Sequence, residues 1–189
     1  ENTNPAPVTT VLPNLNFSNG VNPVVLDANL TVSDSDNDKI AKAEVTILNF
    51  RPGDEVLSFT PDEAIKGIFN ATTGTLTLTG LDTNGNDSSL PIANFQSALR
   101  SVKYQFIGAI PLFGGRLPSG RRSDITLDRS IIFAVLDQDF TTPGLATMAV
   151  QITFLSSNQA PVITPTTAQA VVGNSVSIDF TSLISDPNN

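Results

Sequence analysis

The chain has 189 residues, contains neither cysteine nor histidine, and carries 18 acidic against 10 basic side chains, for a net charge of −8. The two absences exclude a Ser-His or Cys-His nucleophile, a zinc site and a disulfide framework. The excess of acidic side chains argues against nucleic acid or an anionic membrane as a partner, and it favours cations as partners.

Targeting signals are missing from the sequence. No stretch approaches the roughly 18 consecutive apolar residues that cross a bilayer, so no membrane insertion by this segment is expected. Residues 1–20 lack the basic and then apolar order of a signal peptide. We therefore expect either a cytosolic protein or, as we prefer, a piece of a longer exported one.

The residue classes predict an all-β sandwich, because Val, Ile, Thr and Phe are plentiful and Pro and Gly recur at short intervals. An edge strand is predicted over Thr9–Phe17, since Pro13 cannot donate to a central ladder. A second strand is predicted over Pro23–Val32. After an acidic turn, Ile40–Phe50 alternates with a period of about two and predicts a third.

Three short strands are predicted next, at Val56–Phe59, Ile65–Phe69 and Thr75–Thr79, as hairpins of one sheet. The turn Asp82–Asp87 is rich in oxygen atoms, and we interpret it as a solvated turn in preference to a metal loop. Ile92–Leu99 has helical spacing and predicts a single short crossing between sheets.

A strand is predicted over Val102–Phe106, followed by a long insertion, Gly108–Asp124. Loops of this length without secondary structure are often functional or mobile. Its glycine-rich tip carries three arginines that an acidic or glycan partner would fit, although a solvated loop is the simpler interpretation; they are Arg116, Arg121 and Arg122. Two long strands close the unit, at Leu127–Leu136 and Ala146–Leu155.

Carboxylates at alternate positions mark the turn between the second and third strands. Asp34, Asp36 and Asp38 can point several oxygens at one centre, as calcium requires. The alternative is a solvated acidic turn, because Asp, Ser and Asn also favour tight turns. It is not an EF-hand loop, which needs Gly where Lys39 stands. Asp137 and Asp139 form a second carboxylate pair after the strand Leu127–Leu136.

Part of the sequence is repeated. Asn4-Pro5-Ala6-Pro7-Val8 returns as Asn158-Gln159-Ala160-Pro161-Val162, an offset of 154 residues. Five further identities follow at an offset of 152, from Val24 against Val176 to Asn37 against Asn189. The pattern predicts a tandem array, in which residues 1–9 are a linker, 10–157 one repeat, and 158–189 a linker and the truncated start of the next repeat.

Five ordered motifs resemble the cadherin-like repeats of large bacterial cell-surface adhesins: LTVSDSDND, GIFNATTGTLTLTG, FQSALRSVKYQF, DRSIIFAVLDQD and NQAPVI. The resemblance implies a Greek-key β-sandwich of the cadherin/Ig-like class, located at the cell surface, with Ca²⁺ at the joints between repeats. It places the metal ligands at Asp34, Asp36, Asp38, Asp137, Asp139, Asn158 and Asp186. The strand that ends here in VLDQD often ends in Asp-Gly in relatives, so the second ligand group departs from the usual pattern.

The function expected from the resemblance is non-catalytic. A calcium-stiffened repeat would contact neighbouring repeats of the same polypeptide and serve attachment to surfaces or other cells, including biofilm formation or gliding. The alternative is a calcium-assisted carbohydrate-binding module of a larger secreted protein, which the absence of Trp weakens. Paired-carboxylate hydrolysis by Asp137 and Asp139 is disfavoured, because no aromatic surroundings raise an acid pKa there.

Overall fold

Two β-sheets and one short helix make up most of the part of the chain that the structure describes. The computed structural model describes residues 5–18, 22–36, 39–109, 125–138 and 143–154, together with 162–163, 173 and 184–185. Its elements in order are β1 (Val8–Thr10), β2 (Asn14–Ser18), β3 (Val24–Val25), β4 (Thr31–Ser33), β5 (Ile40–Leu48), β6 (Glu55–Ser58), β7 (Ile65–Asn70), β8 (Thr75–Gly80), α1 (Ile92–Arg100), β9 (Lys103–Phe106), β10 (Ile125–Asp137), β11 (Gly144–Phe154), β12 (Val162–Ile163) and β13 (Ile184–Ser185).

The predicted all-β sandwich is confirmed. One sheet has six strands in the order β2-β11-β10-β5-β8-β7, and the other has three in the order β3-β9-β6. The chain crosses repeatedly between them, as the connections of Greek-key sandwiches do. Neighbouring strands in both sheets are antiparallel, except that β2 runs parallel to β11.

Alternating apolar residues on both sheets form the core. In β10 every second residue from Leu127 to Asp137 is buried, and the outward residues between them are exposed or half-buried. Aromatic rings join the two sheets: Phe17 meets Tyr104 edge-on at 6.0 Å between ring centroids, and Phe106 meets Phe154 at 5.1 Å. Such contacts add to the burial of apolar surface that holds the layers together.

The helix α1 lies where it was predicted. Its apolar spacing buries Phe95, Ala98 and Leu99 against the core, and it connects β8 of the larger sheet with β9 of the smaller one. The predicted strands corresponding to β5, β10 and β11 are also confirmed, because long alternating runs are the strongest strand signal.

The single strand predicted over Pro23–Val32 is wrong. The structure has β3 and β4 with a turn between them, and the buried carboxylate of Asp27 explains it. Its Oδ2 accepts from the amide of Leu12 at 2.8 Å, and its Oδ1 accepts from the amide of Asn29 at 2.8 Å. An aspartate that binds the amide two residues later forms a turn, which ends the strand.

Two further assignments need correction. The segment Thr9–Phe17 splits at Pro13 into β1, which pairs with β4, and β2, which is the edge strand of the larger sheet. The strand β6 does not share a sheet with β7 and β8, because it pairs with β9 in the smaller sheet. Only the β7–β8 hairpin agrees with the expected one-sheet arrangement.

The short ladder between β1 and β4 recurs later in the chain. Val8 pairs with Ser33 in the first ladder, and Val162 pairs with Ser185 in the antiparallel ladder of β12 and β13. These are the positions that the sequence repeat relates at offsets of 154 and 152. The domain boundaries themselves stay a prediction.

Candidate metal site

Asp34 directly follows β4, which is held from two sides. On one side β4 pairs with β1. On the other side α1 binds the backbone of β4 and of the residue before it: Gln96 Oε1 accepts from the amide of Val32 at 2.9 Å, and Arg100 Nε donates to the carbonyl of Leu30 at 2.7 Å. The first residue of the acidic turn is therefore anchored by both a ladder and a helix.

The second arm of the site is the end of β10. Asp137 is the last residue of that strand and pairs with Ile40, the first residue of β5, after a register shift between Leu136 and Asp137. The amide of Gln138 then donates to the carbonyl of Lys39 at 2.8 Å. Because the acidic turn leads directly into Lys39 and Ile40, the fold brings the two predicted carboxylate groups to the same end of the sandwich.

The carboxylate of Asp34 is in an unusual environment. Both of its oxygen atoms are shielded from solvent, and neither has a hydrogen-bond partner of ordinary geometry in the described part of the chain. Burial raises the pKa of Asp34, and the nearby side chains of Asp36 and Asp137 raise it further, while the amide of Asp36 opposes the shift. Asp36 is exposed, and Asp137 is only 1% exposed.

This environment fits a cation. Asp34 is half-buried, and an ionised carboxylate whose oxygens are shielded and poorly hydrogen-bonded is costly, the more so beside like charges. Two ways of removing the cost are protonation and neutralisation by a positive ion whose coordination shell uses the same oxygens. Calcium accepts six to eight oxygen ligands, so these carboxylates would provide part of a shell.

Most of the predicted ligand set falls outside the described residues. Within them, no three acidic side chains lie in an arrangement that would by itself hold a metal ion. Asp34, Asp36 and Asp137 are described. The other predicted ligands are not, and they are Asp38, Asp139, Asn158 and Asp186. The arginines proposed for an acidic or glycan ligand also lie outside, at Arg116, Arg121 and Arg122.

No protein-family model matches this chain, and no curated protein matches it. The resemblance to adhesin repeats therefore stays a prediction that depends on the motifs. In the described ranges, no helix is long and apolar enough to cross a membrane.

The second oxygen-rich turn has a structural use for its aspartate. Asp82 Oδ1 accepts from the amides of Asn84 and Asn86 at 2.8 and 2.9 Å, and its Oδ2 accepts from Asn86 Nδ2 at 3.3 Å. The amide of Asn86 contributes most to lowering the pKa of Asp82. This carboxylate is satisfied within its own turn, in agreement with the solvated-turn interpretation.

A buried polar cluster was missed in the sequence. Glu55 Oε1 accepts from Tyr104 Oη at 2.5 Å and from Arg129 Nε at 2.6 Å, and Glu55 Oε2 accepts from the amide of Arg51 at 2.8 Å. The signal available in the sequence for a buried Arg129 was the inward and outward alternation of side chains along β10. Arg129 stands two residues after Leu127 and two before Ile131, in the inward register of β10.

The cluster joins the sheets, since β10 belongs to the larger one and β6 and β9 to the smaller one. Burial and the adjacent Glu55 carboxylate raise the pKa of Tyr104 far above its usual value. Arg129 Nη1 donates to the carbonyl of Asp128 at 2.9 Å, whereas Nη2 is shielded and has no partner among the described residues. The hydrogen bonds make this a structural ion pair, distant in sequence from the acidic turn.

Proposed function

We propose that this chain is a non-catalytic repeat of a cell-surface adhesin, stiffened by calcium at the joint between repeats. The observation that carries the proposal is the Asp34 carboxylate, whose two oxygens are shielded from solvent, make no hydrogen bond of ordinary geometry to a described residue, and lie beside two further carboxylates. A site that concentrates negative charge and offers its carboxylates few hydrogen bonds is matched by a divalent cation.

The position of the site supports a role at a joint. The acidic turn follows β4 and the second arm ends β10, so both groups lie at an end of strands. The ladder that precedes the acidic turn recurs as β12 and β13, where Asp186 follows Ser185 as Asp34 follows Ser33. A bound ion would supply positive charge shared between the acidic turn and the end of β10.

A stiffened array suits an extracellular location. Calcium sites of extracellular modules bind with dissociation constants of about 10⁻⁴ to 10⁻³ M, so they fill outside cells and empty inside them. Catalysis by the carboxylates is not favoured, because Asp137 is almost completely buried and a general acid must reach its substrate.

The test is thermal unfolding of the full chain in calcium and in EGTA, with bound metal measured on the purified protein. Calcium at on the order of a hundred times its dissociation constant would stabilise the fold by about 2.7 kcal/mol. We expect wild type to melt at a lower temperature in EGTA. We expect the Asp34→Asn variant to lose most of this difference, because one charged ligand is removed.

Asp128→Asn provides a matched control. Asp128 lies on the same strand nine residues before Asp137, roughly 30 Å away at the rise of a β-strand. This variant should keep the calcium-dependent shift of wild type. A melting curve of wild type that is unchanged by EGTA would contradict the proposal.

A further inference from the structure

A polar groove lies on the outer face of the larger sheet, away from the acidic turn. It has a volume of about 430 Å³, which is within the usual range of ligand sites of roughly 300–1,000 Å³. The polar side chains along it are Asn14, Asn16, Asn49, Asp128, Ser130 and Gln151.

Strand register explains the shape of the groove. Asn16, Gln151 and Asp128 are neighbours across β2, β11 and β10, and Asn14, Ala149 and Ser130 form the next row. The short side chain of Ala149 between two polar neighbours leaves a depression. The residues between the two rows point the other way, since Arg129 and Val150 are buried.

Most polar groups of the groove are available for a ligand. Gln151 Nε2 donates to Asp128 Oδ1 at 2.9 Å, which orients both side chains. The side chains of Asn14, Asn16, Asn49 and Ser130 make no hydrogen bond to any described residue. Each amide offers donors and acceptors together, and the carboxylate accepts from more than one hydroxyl group.

The charges select the kind of ligand. The guanidinium of Arg129 is paired with Glu55 beneath the groove, so Asp128 is the charge among the six polar side chains and would repel anions. Two of the nine described lining residues are apolar, Ala149 and Val150, so the polar side chains would dominate recognition of a ligand. A neutral molecule with adjacent hydroxyl groups matches amides and a carboxylate best. No aromatic side chain is among the described lining residues, so hydrogen bonds in place of ring stacking would recognise it.

We propose that this groove binds a neutral carbohydrate without calcium. The site is separate from the candidate metal site, because Asp128 and Asp137 occupy opposite ends of β10. The arginines of the insertion are not part of this proposal, because Arg116, Arg121 and Arg122 lie outside the described residues. Carbohydrate binding here would give the repeat an adhesive surface of its own.

The experiment applies the full chain, in EGTA, to an array of neutral and acidic oligosaccharides, and then titrates the strongest neutral binder by NMR. Wild type should bind neutral members, with the side-chain amide signals of Asn14, Asn16 and Gln151 shifting. Ala149→Tyr would fill the depression and Gln151→Ala would remove an oriented amide. Each should weaken binding by about tenfold or more, the equivalent of one or two lost hydrogen bonds.

Thr77→Tyr is the matched control, because Thr77 lies on the same sheet outside the groove and is half-buried. It should bind as wild type does, and far-UV circular dichroism should show all three variants folded; if Ala149→Tyr does not fold, Gln151→Ala carries the test. The proposal is overturned if no neutral glycan binds in EGTA, if only acidic glycans bind, or if binding survives in the folded groove variants. Self-association that Ala149→Tyr abolishes, without glycan binding, would assign the groove to a second copy of the chain and also overturn it.

This test is independent of the calcium proposal. Loss of calcium-dependent melting would leave glycan binding in EGTA unaffected. Absence of glycan binding would leave the metal-dependent shift of wild type in place, so failure of either proposal can be recognised separately.

Discussion

The Nε atom of Arg129 donates to Oε1 of Glu55 at 2.6 Å, and this pair crosses the interior between the two sheets. Both side chains are almost fully buried, at 5% and 0% exposure. Tyr104 binds the same carboxylate oxygen. Charges at this depth depend on each other, because neither can be solvated once its partner is removed.

Replacing Glu55 alone should therefore be strongly destabilising. Glu55→Ala leaves the guanidinium of Arg129 buried without its counter-charge and removes the acceptor of Tyr104. We expect the free energy of unfolding to fall by about 3–5 kcal/mol, the usual cost of breaking a buried ion pair. Urea unfolding followed by circular dichroism measures it.

The double variant Glu55→Met with Arg129→Met is the control. It removes both charges and should recover part of the loss, because apolar replacement of a buried pair is often neutral or stabilising. Tyr104 and the amide of Arg51 still lack their acceptor in this variant. A double variant as unstable as Glu55→Ala would show that the unpaired charge of Arg129 does not determine the loss.

Strand existence could be predicted from the sequence, whereas sheet membership could not. The alternation of apolar residues in β10 and β11 is a local pattern, and it predicts the bounds of both strands to within two residues. The placement of β6 beside β9 depends on residues about fifty positions apart, such as Glu55 and Phe106. No local pattern encodes such pairing. The turn at Asp27 is hidden in the same way, because the carboxylate that forms it also binds the amide of Leu12, fifteen residues earlier.

The candidate site was predictable in part. The alternate carboxylates identified Asp34, and the end of a long strand identified Asp137. Their proximity depends on the pairing of Asp137 with Ile40, a tertiary feature. The Glu55–Arg129 pair was missed because charged residues are normally assigned to the surface, although the inward register of Arg129 conflicts with that assignment.

Stability in EGTA should depend on pH through Asp34. Its pKa is raised above the ordinary value of 3.8 by burial and by Asp36 and Asp137, so the folded chain holds this proton more tightly than the unfolded chain. Stability from this group is then highest below pH 3.8 and falls as pH rises through the raised pKa. Asp34→Asn should remove this contribution.

The measurement is the difference in unfolding free energy between wild type and Asp34→Asn, in EGTA, across the acidic pH range. Wild type should lose stability relative to the variant as pH rises. Relative to Asp82→Asn, wild type should instead gain stability as pH rises, because the amide of Asn86 lowers the pKa of Asp82. If the difference in unfolding free energy between wild type and Asp34→Asn does not change with pH, the pKa of Asp34 is not raised in the folded chain.

Gly144 should not tolerate a side chain. A Cβ atom at this position would overlap the carbonyl oxygen of Pro7, so the N-terminal segment that leads into β1 would have to move. We expect Gly144→Ala to reduce stability by about 1–3 kcal/mol, as overpacking does. Leu145→Ala is the control, since Leu145 is 64% exposed and its truncation should change urea unfolding little. Equal effects of the two changes would argue against the close approach to Pro7.

Removing the carboxylate of Asp27 should destabilise the segment that leads through β4 into the acidic turn. Asp27 is 4% exposed, and it binds the amides of Leu12 and Asn29. Asp27→Ala leaves both amides without their acceptor. We expect a loss of about 2–4 kcal/mol, because hydrogen bonds to a charged group contribute more than neutral ones.

Hydrogen exchange followed by mass spectrometry locates the effect of Asp27→Ala, and urea unfolding gives its size. Exchange should increase in peptides that contain Leu12 and Asn29, which the lost hydrogen bonds hold to Asp27, and in β4, which follows Asn29 closely. Asp62→Ala is the control: it removes an aspartate that binds the amide two residues later in an exposed turn, and it should cost much less. If Asp27→Ala leaves exchange around β4 unchanged, the ladder and α1 alone hold that strand, and Asp27 does not position Asp34.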